Sequence, residues 1–210
     1  MSRVNFSLYL VTDRQQTAGR PLLDVLEACL AAGVRAIQLR EKDLTTRKLF
    51  SLGTEVRRLT REYDAALLIN DRIDVALALD ADGVHLAGHS LPPQTARKIL
   101  GPGPLIGVST HSVDEALEAE AKGGDFIVFG PVFDTASKRP YGPPQGLESL
   151  KAIREAVLLP LFAIGGVTPD RVPALKAAGA DGVAAISGLL AVADPAEAAR
   201  GFLKRLESPQ

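Results

Sequence analysis

Short runs of consecutive apolar residues alternate along the chain with longer stretches in which apolar residues recur every three to four positions. The runs occupy 7–12, 34–39, 66–69, 83–86, 105–109, 126–129, 161–164 and 182–186. Near-continuous hydrophobicity over so few residues marks a strand buried on both faces, as strands of a parallel sheet are. The intervening stretches have helical periodicity. Over 21–32, Leu22, Leu23, Leu26 and Leu30 share one face, with Pro21 in the first turn, where a missing N–H costs nothing. Over 114–121, Ala116, Leu117 and Ala121 fall together. Thr168-Pro169-Asp170 reads as an N-cap followed by proline at the first helical position.

A small residue and glycine recur just ahead of strands, as Ala32-Gly33, Ala81-Asp82-Gly83, Gly123-Gly124 and Ala178-Gly179-Ala180-Asp181-Gly182. Glycine there ends a helix in the left-handed conformation and turns the chain into the next strand. Eight strands alternating with helices predict an α/β fold, a single (β/α)8 TIM barrel over 1–210. The alternative is an open doubly wound sheet. That fold usually carries a glycine fingerprint after its first strand, and Thr12-Asp13-Arg14-Gln15 is not one. The longest irregular stretch, 130–146, holds Pro131, Pro140, Pro143 and Pro144. Following the sixth strand, it is expected to hang over the barrel mouth as a lid.

Composition narrows the partners. A net charge of −1 gives no basic field for nucleic acid or an anionic membrane, so an anionic ligand needs locally gathered cations. No apolar run approaches the ~20 residues of a membrane span, and the first residues hold no apolar leader. One cysteine, Cys29, excludes an internal disulfide and suits a reducing cytoplasm.

In barrel enzymes the chemistry lies just beyond the carboxyl ends of the strands. After the second strand, alternation points Gln38, Arg40 and Lys42 to one side. Converging cations in a barrel wall point to an anionic ligand; the bland alternative is an ion pair with Glu41 or another wall carboxylate. After the third strand, Asp71 is either a Mg²⁺ ligand or the cap of the next helix. After the fourth come His85 and His89. Their spacing suits zinc only on a helix, which leaves His85 as a packed wall residue. After the fifth, His111 is the histidine placed for proton transfer, unless it merely makes a structural hydrogen bond while Thr110 or Ser112 caps the next helix. After the sixth, Thr135, Ser137 and Lys138 lie on the lid. After the seventh and eighth come Gly165-Gly166 and Ile186-Ser187-Gly188, glycine turns at the two strands where TIM barrels commonly bind phosphate. A valine at Gly166 is expected to fill the space the anion needs.

These segments together resemble the thiamin phosphate synthase/TenI family. The resemblance spans nearly the whole chain. It rests on residues 34–42 (ending Gln-Leu-Arg-Glu-Lys), Leu68-Ile69-Asn70-Asp71-Arg72, Asp82-Gly83-Val84-His85-Leu86, Gly107-Val108-Ser109-Thr110-His111, residues 129–138, Ala163-Ile164-Gly165-Gly166 and residues 178–187. The resemblance implies a TIM barrel of thiamine biosynthesis. Its synthase branch couples hydroxymethylpyrimidine pyrophosphate to thiazole phosphate and releases pyrophosphate, with Mg²⁺ on the pyrophosphate. It implies Gln38, Arg40, Lys42, Asn70, Ser109 and Lys138 on the pyrophosphate side and Asp71 on the metal. Thr135 and Ser137 would bind the thiazole phosphate from the lid, over a backbone cradle of Gly166, Ile186 and Ser187.

One departure stands out. Ser90 occupies the place where synthases usually carry a second metal carboxylate, and Ser187-Gly188 looks more like the TenI branch. That branch includes metal-free tautomerases that aromatise a thiazole phosphate carboxylate, with His111 as the proton carrier here. A third reading is a regulator that binds thiazole or thiamine phosphate without turnover. All three expect small phosphorylated partners, and a homo-oligomer is compatible with each.

Overall fold

The computed structural model describes residues 3–135, 139 and 142–208. Eight parallel strands close into a barrel in sequence order. They are β1 (Leu8–Val11), β2 (Ala36–Leu39), β3 (Ala66–Asn70), β4 (Gly83–Leu86), β5 (Leu105–Thr110), β6 (Phe126–Phe129), β7 (Leu161–Ala163) and β8 (Gly182–Ala185). Closure comes from β1 against β8, with Leu8 beside Val183 and Leu10 beside Ala185. The open-sheet alternative is thereby excluded. The outer ring comprises α1 (Leu22–Ala31), α2 (Thr46–Glu62), α3 (Ile73–Ala78), α4 (Pro93–Leu100), α5 (Val113–Ala121), α6 (Gly146–Ala156) and α7 (Val172–Ala177). The short α8 (Ser187–Leu190) follows β8, and α9 (Pro195–Glu207) completes the ring.

All eight expected strands form, with ends shifted by a residue or two. Of the expected glycines, Gly33, Gly123 and Gly179 take the left-handed conformation, whereas Gly83 and Gly182 open strands β4 and β8. Thr168 does precede a proline-led turn, Pro169–Arg171, but its side chain makes no capping hydrogen bond there.

Alternation sorts the strand side chains into two cores. One set packs between strands and helices. The other, including Tyr9, Val11, Ala36, Leu68, Phe126, Val128, Phe162 and Ala184, points to the barrel axis. Only inward-facing rings allow β1, β6 and β7 to meet. Ring centroids lie 5.5 Å apart for Tyr9–Phe126 and 5.5 Å for Phe126–Phe162. Each such ring contributes roughly 1.5–3 kcal/mol of burial, so the lower barrel is plugged and any cavity must open at the other end.

Three ion-pair clamps recur at the amino ends of the strands. Asp82, just before β4, accepts from the Leu67 N–H at 2.7 Å and from Arg57 of α2 at 2.6 Å, both through Oδ2. Asp125, before β6, accepts likewise from Ile106 at 2.7 Å and Arg97 of α4 at 2.5 Å. Asp181, before β8, accepts from Leu161 at 2.8 Å and Arg154 of α6 at 2.9 Å. Before β2 the corresponding residue is Arg35, which donates to Leu30 and Val34 carbonyls instead. The period of this pattern is two strands, and it stabilises the face opposite the carboxyl ends.

Candidate active site

A cavity of about 400 Å³ opens at the carboxyl ends of the strands. Of the residues singled out from sequence, Gln38, Arg40, Lys42, Asn70, Ser109, His111, Thr135, Gly166, Ile186 and Ser187 all line it. Ser137 and Lys138 lie outside the described residues. Asp71 does not line the cavity; it follows Asn70 at the rim.

The strand β2 segment builds the cationic side. Gln38 is buried inside the barrel, Arg40 is half-buried and Lys42 exposed, so the three climb from floor to rim. Glu41 points the other way and is itself buried. Both its oxygens accept from the Arg14 N–H, at 3.1 and 3.2 Å, and Oε2 also accepts from the Arg14 guanidinium at 3.1 Å. The wall carboxylate nearest in sequence is therefore spent outside the cavity. The Arg40 N–H donates to Thr12 Oγ1 at 2.8 Å, and the Arg40 guanidinium makes no ion pair among the described residues.

Asp71 sits at φ +64, a left-handed conformation that aspartate tolerates better than most residues. The helix-cap reading is corrected. The residue flanking α3 is Arg72, and no side chain caps that helix. The Asp71 carboxylate instead faces His89, with Oδ2 4.0 Å from Nε2. Ser90 Oγ accepts from the Ala87 N–H at 2.9 Å and closes the turn after β4.

His85 is the packed wall residue that the sequence predicts, set against the Tyr9 and Phe126 rings, and it also makes polar contacts. It is buried inside the barrel, and its Nε2 lies 2.8 Å from Ser109 Oγ. Its Nδ1 lies 3.5 Å from the Tyr9 hydroxyl, which accepts from Gln38 Nε2 at 3.2 Å. Gly107 makes the room: a Cβ there would fall 2.7 Å from His85 Nδ1 and 2.4 Å from the Phe126 ring. Burial, with Arg40 adding to it, pushes the imidazole down to about 3, so the ring is neutral. Burial also pushes the Tyr9 phenol far up. The signal was present in the sequence. Val84 and Leu86 face the helices, so alternation turns His85 inward.

His111 stands exposed at the rim, its Nδ1 3.2 Å from Glu115 Oε2. Ser112 caps α5 by accepting from the Glu115 N–H.

The turns after β7 and β8 form the far wall. Gly165 and Gly166 both have positive φ. The segment after β6 lies directly on them, with Val132 N–H donating to Ile164 O at 2.8 Å and Phe133 N–H to Gly165 O at 3.1 Å. Arg171 stacks over the Phe133 ring at 4.5 Å and donates to Gly166 O at 2.5 Å. A Cβ on Gly166 would meet Asp134 O at 2.6 Å. The valine expectation is corrected accordingly: substitution there drives the loop off the turn rather than filling open space. Ser187 and Gly188 line the cavity and open α8, a helix whose first amides have no intrahelical acceptor.

The cavity thus sets Arg40 and Lys42 on one wall of a (β/α)8 barrel and the glycine turns after β7 and β8 on the other. The comparisons agree. The family model described as "Thiamine monophosphate synthase" matches residues 8–189. A putative thiamine-phosphate synthase of Geobacter sulfurreducens is 52% identical over 206 residues, covering 98% of this chain and 97% of the relative. A thiamine-phosphate synthase of Moorella thermoacetica is 48% identical, covering 93% of each. Among solved structures, a thiamine phosphate pyrophosphorylase from Pyrococcus furiosus superposes with a TM-score of 0.88 at 40% identity, covering 96% of each chain. The chain belongs to the thiamine monophosphate synthase family. A 3-hexulose-6-phosphate synthase, 20% identical with a TM-score of 0.67, shares the fold.

Proposed function

We propose that this chain is a transferase of thiamine biosynthesis that joins hydroxymethylpyrimidine pyrophosphate to thiazole phosphate and releases pyrophosphate. The observation that carries the reading is Arg40, a guanidinium at the cavity without an ion pair among the described residues, beside a Glu41 already held by Arg14. A cation so placed stabilises the charge that grows on a departing pyrophosphate. Gln38, Lys42, Asn70 and Ser109 share the cavity with it, and the family resemblance adds Lys138, which lies outside the described residues. Thr135 and Ser137 take the thiazole phosphate over the amides of Gly166, Ile186 and Ser187. Relatives named thiamine-phosphate synthase at 43–52% identity support the reading.

Asp71, at the rim next to the cavity-lining Asn70, is the carboxylate that would hold Mg²⁺, an ion that accepts one or two carboxylates and completes its shell with phosphate oxygens and water. Bound there, it would supply further neutralisation of the leaving group. Ser90 supplies no second carboxylate. That observation favours a second reading, a metal-free thiazole tautomerase with His111 moving the proton.

The test is to incubate pure protein with both synthase substrates and Mg²⁺, with the tautomerase substrate in parallel. Thiamine phosphate with stoichiometric pyrophosphate is the expected product. Turnover of the tautomerase substrate alone would transfer the proposal to the second reading, and turnover of neither would leave a phosphate-binding regulator.

A further inference from the structure

The barrel interior carries a line of polar side chains from three other strands to Ser109. Gln38 of β2, Tyr9 of β1 and His85 of β4 are all buried, and Ser109 of β5 opens onto the cavity. Each link has a polarity. The Gln38 amide nitrogen has only protons to give, and it donates to the Tyr9 oxygen at 3.2 Å. That leaves the Tyr9 proton available to His85 Nδ1, 3.5 Å away, which sets the tautomer if Nδ1 accepts it. A neutral imidazole has one ring proton, so an accepting Nδ1 puts that proton on Nε2. Nε2 lies 2.8 Å from Ser109 Oγ, and in that tautomer it donates to the serine oxygen. The serine oxygen is occupied as an acceptor on its barrel side, and its own proton is left to point into the cavity.

We propose that Tyr9 and His85 are positioning residues that orient the Ser109 hydroxyl as a donor to the anion bound beside Arg40. An unoriented serine offers an approaching phosphate oxygen a lone pair as readily as a proton. A serine polarised by this chain offers the proton, which rewards pyrophosphate and repels nothing. The arrangement needs Gly107, whose missing side chain lets His85 reach both partners. The proposal rests on the pyrophosphate reading of the cavity and adds two residues that do not touch the ligand.

The experiment uses the full chain with inorganic pyrophosphate and Mg²⁺, titrated by calorimetry into wild type, Tyr9→Phe, Ser109→Ala, the double variant, His85→Gln and His85→Leu. Tyr9→Phe keeps the aromatic packing and removes only the hydroxyl. Ser109→Ala should weaken binding about tenfold, the scale of one hydrogen bond to a charged group. Tyr9→Phe should lose about threefold or more, and the double variant no more than Ser109→Ala alone. His85→Gln retains an acceptor and a donor and should bind nearly as wild type, whereas His85→Leu should fall to the Ser109→Ala level. In parallel, ¹⁵N spectra of histidine-labelled protein should show the His85 proton on Nε2 in wild type and spread over both nitrogens in Tyr9→Phe. A wild-type proton on Nδ1, or Tyr9→Phe and Ser109→Ala losses that multiply, would overturn the relay while leaving the pyrophosphate site standing. Wild-type protein that binds no pyrophosphate would remove the site itself, and the proposal with it.

Discussion

Arg14 holds Glu41 with both its main-chain N–H and its guanidinium, on the side of β2 away from the cavity. The same guanidinium bonds Asp43, holding that carboxyl down at about 2. Arg14→Ala removes the ion pair and leaves the buried Glu41 carboxylate held by the residue-14 main-chain N–H alone. It should destabilise the fold by about 2–3 kcal/mol, less than a fully buried pair because Arg14 is partly exposed. Because Glu41 faces away from the cavity, the substitution should leave pyrophosphate binding nearly unchanged. Arg40→Ala should weaken binding by about 1–3 kcal/mol with little change in stability. Calorimetry and urea unfolding on the two variants separate these effects. Unchanged affinity in Arg40→Ala would reassign that residue to structure.

The loop after β6 is fastened to the turn after β7 at Gly166. Gly166→Ala puts a Cβ against Asp134 O and a non-glycine residue at φ +61, a strain of about 1–3 kcal/mol. Hydrogen exchange should quicken at the Val132 and Phe133 amides, and monophosphate binding should fall. Unaltered protection at both amides would show that the turn absorbs the methyl group without moving the loop.

Ser90 closes its turn through an oxygen that accepts from Ala87, a role an aspartate oxygen can also take. Ser90→Asp should therefore fold normally and lower the Mg²⁺ concentration needed for synthase turnover. Asp71→Ala should abolish most synthase activity. In a tautomerase, by contrast, Asp71→Ala would be nearly silent and His111→Ala would lose roughly two to four orders of magnitude. Steady-state rates with each substrate over a Mg²⁺ series decide the matter, and indifference of both reactions to both variants would remove both enzymatic readings.

The neutral His85 sets a pH dependence whose sign is fixed. Its folded value, about 3, lies below the ordinary 6.5. Between these values the unfolded chain takes up a proton that the folded one refuses. Its contribution to stability is present above about pH 6.5 and is lost as pH falls, by about 1.4 kcal/mol per pH unit. Urea unfolding from about pH 7 to about pH 4.5 stays above the range where Asp43 titrates. His85→Gln should flatten the slope over that interval; parallel profiles for variant and wild type would mean that His85 protonates in the folded state.

The strands were legible in the sequence because burial on both faces leaves an unbroken apolar run, which few other elements produce. The cavity residues were legible for a related reason: Gln38, Arg40, Asn70 and Ser109 are polar interruptions at one end of those runs. Tyr9 escaped notice because its apolar neighbours Leu8 and Leu10 make it look like more wall. Its partner His85 lies 76 residues away, and no local pattern announces a pairing across a barrel. The role of Gly166 was only half legible. Its freedom shows in the sequence, but what presses on it, Asp134 O, comes from a loop whose path depends on the whole fold.

The three aspartate–arginine clamps span only 25, 28 and 27 residues each, whereas β1 finds β8 across nearly the entire chain. Contacts between near neighbours in sequence close cheaply, and distant ones wait on them. The expected order of assembly is three clamped quarter-barrels first and the ring last, with the unclamped quarter at Arg35 joining as β1 docks on β8. Kinetics can read this order: Asp125→Ala should slow folding, while Leu8→Ala should mainly hasten unfolding. The active-site mouth is complete only when the ring is, because its wall draws on β2, β3, β5, β7 and β8 together, so binding competence should appear in the last kinetic step and not with the bulk of the helical signal.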